Sequence, residues 1–263
     1  MKIFDFHTHV YPPTHAQKAM SIIPKDSPFG PFYDGTLEGL IVSNKRCGVD
    51  KALTLHIANQ AAFIEKVNDW AIYCNSVPNI YAFGSLHPDY KDIKKEIKRL
   101  KAHGIKGLKF HPYYQKFDVD DKAMYHIYEA AASEDMIMLF HTGTDLRHLG
   151  DYCMPKKFNR FCDDFKDAKI VGAHLGGMLV FDEAFDLMLG KSMYLDTSFA
   201  FRYLNENQKK KLLTEHDHKK ILFGTDAPWV DAKDDIEQLE KYLSEESRKL
   251  IFYDNAIKLL GDK

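Results

Sequence analysis

The segment IFDFHTHV (Ile3–Val10) is the first in a series of short apolar segments, and this series indicates the fold. Seven more segments of this kind follow along the whole chain: Lys51–Ile57, Ile80–His87, Ile105–Pro112, Met136–Gly143, Lys169–Leu175, Ser192–Ser198 and Lys220–Ala227. Short, nearly continuous apolar runs are typical of strands that are covered on both faces in a parallel sheet. The series therefore predicts eight parallel strands.

Helical patterns lie between many of these segments. Ile93, Ile97 and Leu100 share one face of a predicted helix, and strands that alternate with helices indicate a parallel sheet. Eight repeats close naturally into a (β/α)8 TIM barrel, which needs about 250 residues. We therefore predict an α/β protein with one barrel domain over residues 1–263. A doubly wound open sheet is the alternative, but the glycine-rich phosphate motifs typical of that fold are absent.

The charge distribution limits the kinds of partner. The formal net charge is −2, and a nucleic-acid or anionic-membrane partner would require a basic face. The N-terminal MKIFDFHTHV lacks the apolar run of a signal peptide, and no stretch reaches membrane-spanning length. We therefore expect a cytoplasmic protein that acts on a small molecule, with neither a nucleic acid nor a membrane as its partner.

Histidines are concentrated in the strand segments. Seven of the 13 histidines lie there, at or near the C-terminal end of their segment: His7, His9, His56, His87, His111, His141 and His174. Barrel enzymes carry their active sites at that end of the strands. The pattern predicts an active site rich in imidazole.

The first strand carries a pair of these histidines. Because side chains alternate along a strand, Asp5, His7 and His9 are expected to share the inner face. The apolar residues between and after them are expected to pack on the helices; they are Phe4, Phe6 and Val10. Two imidazoles that converge from one strand can chelate zinc or a similar cation. A pair of hydrogen-bonded core histidines is the alternative.

Further ligand candidates end three other strands. His141 ends the fifth segment, His174 the sixth and Asp226 the eighth. Gly172 and Gly224 precede His174 and Asp226 by two residues, so we expect both glycines to face inward and to leave room for an ion. Each candidate alone could be a satisfied core or loop residue, but together with His7 and His9 they predict a metal site.

HxH on the first strand, HTG, HLGG, YLDTS and GTDAPW, in this order, resemble the amidohydrolase superfamily. The resemblance extends to Asn255–Leu260 and is closest to the branch that includes aminocarboxymuconate-semialdehyde decarboxylase and related decarboxylases and lactonases. It implies that the metal ligands are His7, His9, His141 and Asp226. It also implies that Asp226 contacts the metal-bound water, and that His174 is the catalytic histidine or a ligand of a second metal.

The resemblance leaves the number of metals open at the fourth strand. GLKFHP places Lys109 and His111 on one face. In binuclear members of the superfamily a carboxylated lysine on strand four bridges two metals, so Lys109 and His111 could serve a second metal. Lys109 could equally bind an anionic substrate. The decarboxylase-like branch implies one divalent metal ion, and zinc is the ion we expect.

Three functions fit these residues. The first is a metal-dependent hydrolase that uses a metal-activated water on a C–N or C–O bond of a small, carboxylate-bearing substrate. The second is a zinc-dependent, non-oxidative decarboxylase of a small unsaturated or aromatic acid. The third is a non-catalytic barrel that binds a metal or a ligand.

Candidate substrate-binding residues lie just beyond the strand ends. Arg147 follows strand five and Arg202 follows strand seven, and a guanidinium suits a substrate carboxylate. Solvated surface arginines are the alternative for both. Tyr113, Phe199 and Trp229 are candidates for an aromatic lining. Homodimers are common among soluble proteins, so we also consider a homodimer.

Overall fold

The computed structural model describes residues 1–21 and 29–262, and in these residues eight strands form one sheet with the order β1 to β8. The strands are β1 (Phe4–Thr8), β2 (Lys51–Leu55), β3 (Ile80–Ser85), β4 (Gly107–Phe110), β5 (Ile137–Phe140), β6 (Ile170–Gly172), β7 (Tyr194–Asp196) and β8 (Ile221–Leu222). Neighbouring strands pair in parallel throughout this order. Each of the eight predicted segments contains one of the strands.

Hydrogen bonds between the first strand and the segment after β8 bring the two edges of the sheet together. The backbone nitrogen of Phe6 donates to the carbonyl oxygen of Phe223 at 2.8 Å, and that of His9 donates to Ala227 at 2.7 Å. Helices lie between the strands along the chain. The predicted (β/α)8 barrel is therefore confirmed.

The helices surround the sheet. They are α1 (Pro13–Met20), α2 (Leu37–Cys47), α3 (Ile64–Asn75), α4 (Ile93–Ala102), α5 (Pro112–Gln115), α6 (Tyr125–Ser133), α7 (Pro155–Asp164), α8 (Phe181–Met188), α9 (Glu206–Glu215), α10 (Ala232–Glu240), α11 (Glu245–Lys249) and α12 (Asn255–Leu260). In α4, Ile93, Ile97 and Leu100 are buried, as their spacing predicts. No helix within residues 1–21 and 29–262 combines the length and the apolar character that crossing a bilayer requires.

One apolar core lies outside the sheet and another lies inside it. The larger one lies between the strands and the helices and contains Leu108 and Phe110 of β4. The smaller one draws its strand residues from seven of the strands, including Phe83 and Leu139, and takes its helical residues from α12. This second core therefore fills the barrel. Tyr253 precedes α12 and packs against this core, and its ring lies within cation–π distance of Lys2, just before β1. Helix α12 therefore lies at the N-terminal end of the strands, opposite the histidines.

The expectation that Phe4 and Phe6 pack on the helices is wrong, because both belong to the core inside the barrel. The physical reason is an irregularity in β1, where the register against β2 shifts between Asp5 and Thr8. One extra residue in a strand breaks the alternation of its side chains. His7 therefore faces the barrel as Phe6 does, while Asp5 forms hydrogen bonds with Thr225. Val10 packs in the outer core, as expected.

The segment Tyr11–Gly35, which its prolines suggest to be one long loop, contains a helix. Helix α1 spans Pro13–Met20 with proline at its start, a position whose missing N–H group costs the helix no hydrogen bond. Its buried side chains, Ala16, Ala19 and Met20, recur at helical spacing. Pro24 and Pro28 lie outside the described residues.

Candidate metal centre

Three predicted ligands converge at the C-terminal mouth of the barrel. Nε2 of His9 lies 3.0 Å from Oδ1 of Asp226, and Nε2 of His7 lies 3.3 Å from the same oxygen. One potential ligand atom of each residue lies within 4.8 Å of the others. The hydrogen bond from the Asp226 nitrogen to the His7 carbonyl, 2.8 Å long, ties the segment after β8 to β1. Neighbouring backbone thus holds the ligands of both segments together.

The histidines of strands five and six approach the same space. Nδ1 of His141 lies 3.0 Å from Nε2 of His174, and the ring centroids of His7 and His174 lie 5.3 Å apart. His174 begins a short turn after β6 with a φ of 55°, so it has already left the strand conformation. His141 also lies within 4.8 Å of His111 and Asp145, a second group of potential ligands.

Each of the four histidines uses its other ring nitrogen to bond a group that can only accept. The pairs are His7 Nδ1 with Asp196 Oδ2 at 2.9 Å, His9 Nδ1 with the Leu55 carbonyl at 3.2 Å, His141 Nε2 with the Thr144 carbonyl at 3.0 Å, and His174 Nδ1 with the Ser198 carbonyl at 2.8 Å. A neutral imidazole has one N–H group. These acceptors therefore hold the proton on the outer nitrogen of each ring.

The nitrogens that face the centre consequently carry lone pairs. The lone pair on Nδ1 of His141 faces the lone pair on Nε2 of His174. The lone pair on Nε2 of His9 faces Oδ1 of Asp226. Buried acceptors that face each other at 3 Å are unfavourable unless a cation lies among them. Metal–nitrogen bonds of about 2.1 Å would put two ligand atoms on one ion about 3.0 to 3.4 Å apart. Imidazole and carboxylate are also the ligands that zinc and related divalent ions prefer, so these residues fit such an ion.

Burial keeps the rings of His7, His141 and His174 neutral. It lowers the pKa of His7 and of His174 to about 4 and that of His141 to about 3, because the charged form loses its hydration. Burial alone would raise the pKa of Asp226, but its contacts with His9, His7 and His174 hold it below its usual value. An ionised carboxylate among neutral imidazoles is the state in which all of them can bind a metal.

Asp196 and Ser198 belong to this centre although the sequence predictions assign them no role. Oδ2 of Asp196 bonds His7, and its Oδ1 accepts hydrogen bonds from the backbone nitrogens of His174 and Ser198. Both side chains are fully buried. The motif YLDTS carries the signal, because its aspartate ends a strand whose neighbours supply the ligands.

Lys109 lies beside the ligands on the inner face of β4. Its Nζ is 3.4 Å from Nε2 of His7, and its side chain is 1% exposed. Burial lowers the pKa of Lys109 to about 8, against the opposing effect of Asp196 and Asp226. It is the only lysine or arginine among the buried residues of the described chain. A cation therefore adjoins the candidate metal site.

His111 forms part of an aromatic stack. Its ring lies 3.9 Å from that of Tyr114 and 4.1 Å from that of His141, nearly parallel to both. Its Nε2 lies 3.7 Å from Oδ2 of Asp145, too far for a hydrogen bond, and its buried Nδ1 has no partner. Asp145 and Tyr114, which the sequence predictions omit, therefore adjoin the centre. The sequence carries no spacing signal for either residue.

The two candidate arginines differ in their surroundings. Arg147 is exposed on the loop after β5. Arg202 is mostly buried, and its guanidinium donates two hydrogen bonds to Oδ1 of Asp235, at 2.9 and 2.6 Å. Of these two arginines, only Arg147 presents a guanidinium without an acidic partner among the described residues.

The three candidate aromatic residues lie on two sides of the centre. Tyr113 is buried, packs its ring edge-on to His141 and donates its hydroxyl to the carbonyl of Gly143 at 2.6 Å. Phe199 and Trp229 belong to a small apolar cluster with Met178 and Val230, separate from the main cores. This cluster follows strands six to eight, so it forms an apolar wall beside Asp226.

Only one of the two glycines makes room for the ligands. A Cβ on Gly224 would lie 2.9 Å from Cβ of His7, so this glycine faces the centre as predicted. A Cβ on Gly172 would instead lie 2.8 Å from the ring of Phe158 in α7. The prediction that Gly172 faces inward is wrong, because alternation along β6 turns it toward the helix.

Comparisons with known proteins agree with this architecture. A sequence model described as amidohydrolase matches residues 4–261, and no curated protein matches the sequence. A solved structure of 5-carboxyvanillate decarboxylase from Sphingomonas paucimobilis is 13% identical, with a TM-score of 0.72 over 100% of this chain and 99% of that one. The same enzyme from Novosphingobium aromaticivorans, with bound manganese, is 15% identical, with a TM-score of 0.74 over 99% and 97%.

A third solved structure carries a hydrolase description. This probable 2-pyrone-4,6-dicarboxylic acid hydrolase from Acinetobacter baumannii, with citric acid bound, is 14% identical, with a TM-score of 0.68 over 99% of this chain and 100% of that one. At such identities the structures establish the fold, whereas the match to the sequence model establishes the family. The resemblance of the five motifs to the amidohydrolases is thereby confirmed. The chain belongs to the amidohydrolase family and is an enzyme of that superfamily.

Proposed function

We propose that this enzyme is a divalent-metal-dependent hydrolase that cleaves a C–N or C–O bond of a small substrate carrying a carboxylate. The observation that carries the proposal is the convergence of His7, His9 and Asp226, whose potential ligand atoms lie within 4.8 Å of one another, beside the facing ring nitrogens of His141 and His174. Nothing among the described groups donates a proton to His9, His141 or His174 there. Such a set of acceptors serves a cation.

We assign His7, His9, His141 and Asp226 as the ligands of one metal ion, with zinc as the first candidate. When bound, the ion would polarise a substrate carbonyl and lower the pKa of a water molecule from 15.7 to about 7. The outer hydrogen bonds from the histidines to carbonyl and carboxylate groups support this assignment, since metal-binding histidines typically make them. His111 and Lys109 remain the candidates for a second ion.

Two side chains are placed for proton transfer. The carboxylate of Asp226 remains ionised over the neutral pH range, so it can accept the proton of the attacking water. Nε2 of His174 has no proton in the neutral ring, because Nδ1 donates to Ser198. His174 therefore acts first as a hydrogen-bond acceptor and can transfer a proton to the leaving group only after it has received one.

Substrate binding uses charge on one side and apolar surface on the other. Lys109, the buried cation beside His7, can hold a substrate carboxylate, and the exposed Arg147 can reach the same loop region. The ion pair with Asp235 makes Arg202 less available to a ligand. Phe199 and Trp229 offer an apolar wall. Tyr113 packs edge-on against the ring of His141.

Decarboxylation of a small unsaturated or aromatic acid is the second candidate. Two of the structures compared above are decarboxylases of an aromatic acid. The apolar wall of Phe199 and Trp229 and the flat stack of His111 and Tyr114 both suit a planar ring. In that reaction His174 would first accept a proton from a water molecule and would then pass it to the carbon that loses CO2.

A substrate panel tests the proposal. Protein reconstituted with zinc or manganese is assayed against lactones, amides and esters that carry a carboxylate, and against hydroxybenzoic and muconic acids for CO2 release. Metal-dependent cleavage of the first group, lost on chelation and restored by metal, supports the hydrolase. CO2 release without hydrolysis favours the decarboxylase. The His126→Asn variant, altered on the exposed face of α6, is the control for unspecific effects.

Two wider expectations remain predictions. A homodimer is proposed because closed dimers are the commonest soluble assemblies, and light scattering of the purified protein tests it. The cytoplasmic location remains a prediction.

A further inference from the structure

We propose that Asp196 is a positioning residue that fixes the proton of His7 on Nδ1 and thereby controls metal affinity. The inference rests on the metal site of the proposed function. It goes beyond that proposal because it assigns a role to a residue outside the ligand set and predicts an unusual order of variants.

The contacts of Asp196 are complete and asymmetric. Its Oδ2 lies 2.9 Å from Nδ1 of His7. Its Oδ1 accepts from the backbone nitrogens of His174 and Ser198, both at 3.1 Å, and from the Ser198 hydroxyl. The side chain is fully buried at the end of β7. One oxygen thus faces only donors, and the other faces a ring that can hold its proton on either nitrogen.

This asymmetry decides what an asparagine would do. The two backbone N–H groups are fixed donors, so the amide must turn its oxygen toward them. Its NH2 group then faces Nδ1 of His7, which becomes an acceptor. The ring proton moves to Nε2, the atom that lies 3.3 Å from Asp226 and whose lone pair would bind the metal. Asp196→Asn therefore removes a ligand without altering the size of any side chain.

An alanine has a different effect. Asp196→Ala removes the acceptor but introduces no donor, and the Ser198 hydroxyl remains 2.9 Å from Nδ1 of His7. Released from Asp196, the oxygen of that hydroxyl can accept a hydrogen bond from the Nδ1–H group of His7. His7 can therefore keep the lone pair on Nε2. The cost of alanine falls on stability instead, because backbone N–H groups of His174 and Ser198 lose their acceptor.

The two variants are therefore expected to rank in opposite order for zinc affinity and for melting temperature. We expect Asp196→Asn to bind zinc about 10- to 100-fold more weakly than the native protein, the range typical of lost outer hydrogen bonds, and more weakly than Asp196→Ala. We expect Asp196→Ala to have the lower melting temperature. Chelator competition gives the zinc dissociation constants and calorimetry gives the melting temperatures. Asp235→Asn is the control: Asp235 lies on α10 and forms a buried ion pair with Arg202, so its loss should lower the melting temperature without changing the zinc affinity.

A tautomer measurement separates this inference from the proposed function. Nitrogen NMR of the metal-free native protein with labelled histidine should show His7 protonated on Nδ1, and on Nε2 in Asp196→Asn. A native His7 protonated on Nε2, or zinc binding that is weaker in Asp196→Ala than in Asp196→Asn, would overturn the inference. Absence of zinc binding by the native protein would overturn the proposed metal site, while the NMR result would still decide the role of Asp196.

Discussion

The Nδ1 atom of His141 lies 3.0 Å from the Nε2 atom of His174, and in the neutral rings both atoms carry lone pairs. Their outer nitrogens donate to the carbonyls of Thr144 and Ser198, so neither ring can turn its proton inward without losing a bond. Two strands thus bring together atoms that repel each other unless a cation lies between or beside them. Five predictions follow from an account that places a divalent ion there.

Replacement of Asp226 by asparagine is expected to lower turnover by a factor of about 10² to 10⁴, the usual contribution of a general base. The amide oxygen can still bind the metal, but it cannot accept the proton of water. Turnover and metal content are measured on the same sample. Asp89→Asn, altered on an exposed loop, should behave as the native protein. Full turnover in Asp226→Asn would remove Asp226 from the proton-transfer step.

Replacement of Gly224 by alanine is expected to weaken zinc binding, because the new methyl group would lie 2.9 Å from Cβ of His7 and must displace it. Gly172→Ala is a matched control, since its methyl group would lie 2.8 Å from Phe158 outside the barrel. We expect both variants to be less stable, but only Gly224→Ala to bind zinc more weakly. Equal zinc affinity in the two variants would show that the space beside His7 does not limit the site.

Replacement of Lys109 by methionine is expected to raise KM for carboxylate-bearing substrates by about tenfold or more, since hydrogen bonds to charged groups contribute about 1.5 to 3 kcal/mol. The KM of a neutral ester should change little. Lys241→Met on the surface is the control. An equal change for charged and neutral substrates would indicate that Lys109 does not bind the carboxylate.

Acid is expected to destabilise the metal-free protein below pH 6.5. The histidines whose pKa is lowered by burial include His7, His56, His111, His141, His174 and His216. The folded state keeps these rings neutral, whereas the unfolded chain binds protons once the pH falls below 6.5. Each ring therefore removes about 1.4 kcal/mol of unfolding free energy per pH unit until its folded pKa is reached.

Two buried carboxyl groups act in the opposite direction. Burial raises the pKa of Asp5 and of Asp235 to about 7, so these groups favour the folded state as the pH falls from 7 toward 3.8. The histidines outnumber them, and urea unfolding at pH 7.0 and 5.5 should show lower stability at pH 5.5. Equal or higher stability at pH 5.5 would contradict the neutral state of the buried rings.

The strands could be predicted from the sequence, and the ligands proposed from it, because both follow local rules. A short apolar run that ends in a histidine marks a strand of a parallel barrel and the end of it that carries chemistry. The rule of alternation failed where local geometry departs from a regular strand. The register shift between Asp5 and Thr8 lets His7 face the barrel together with Phe6, so the positions of Phe4 and Phe6 could not be inferred from His7 by alternation, and nothing in the composition of the segment indicates such a shift.

The surroundings of the ligands depend on contacts between distant segments. Asp196 meets His7 across 189 positions of sequence, and Asp235 meets Arg202 across 33. A single sequence does not show which carboxylate lies beside which base, so the hydrogen bonds that fix the histidine protons could not be predicted. The apolar wall of Phe199 and Trp229 is likewise assembled by separate loops.

Metal analysis of the purified protein decides whether these residues hold an ion. After dialysis against zinc and removal of the excess, we expect one equivalent of tightly bound zinc in the native protein. The double variant His7→Gln, His9→Gln should hold none, and the surface variant His126→Asn should hold one. Native protein that keeps no zinc, or the same amount of zinc in all three proteins, would contradict a metal site built from His7, His9, His141 and Asp226.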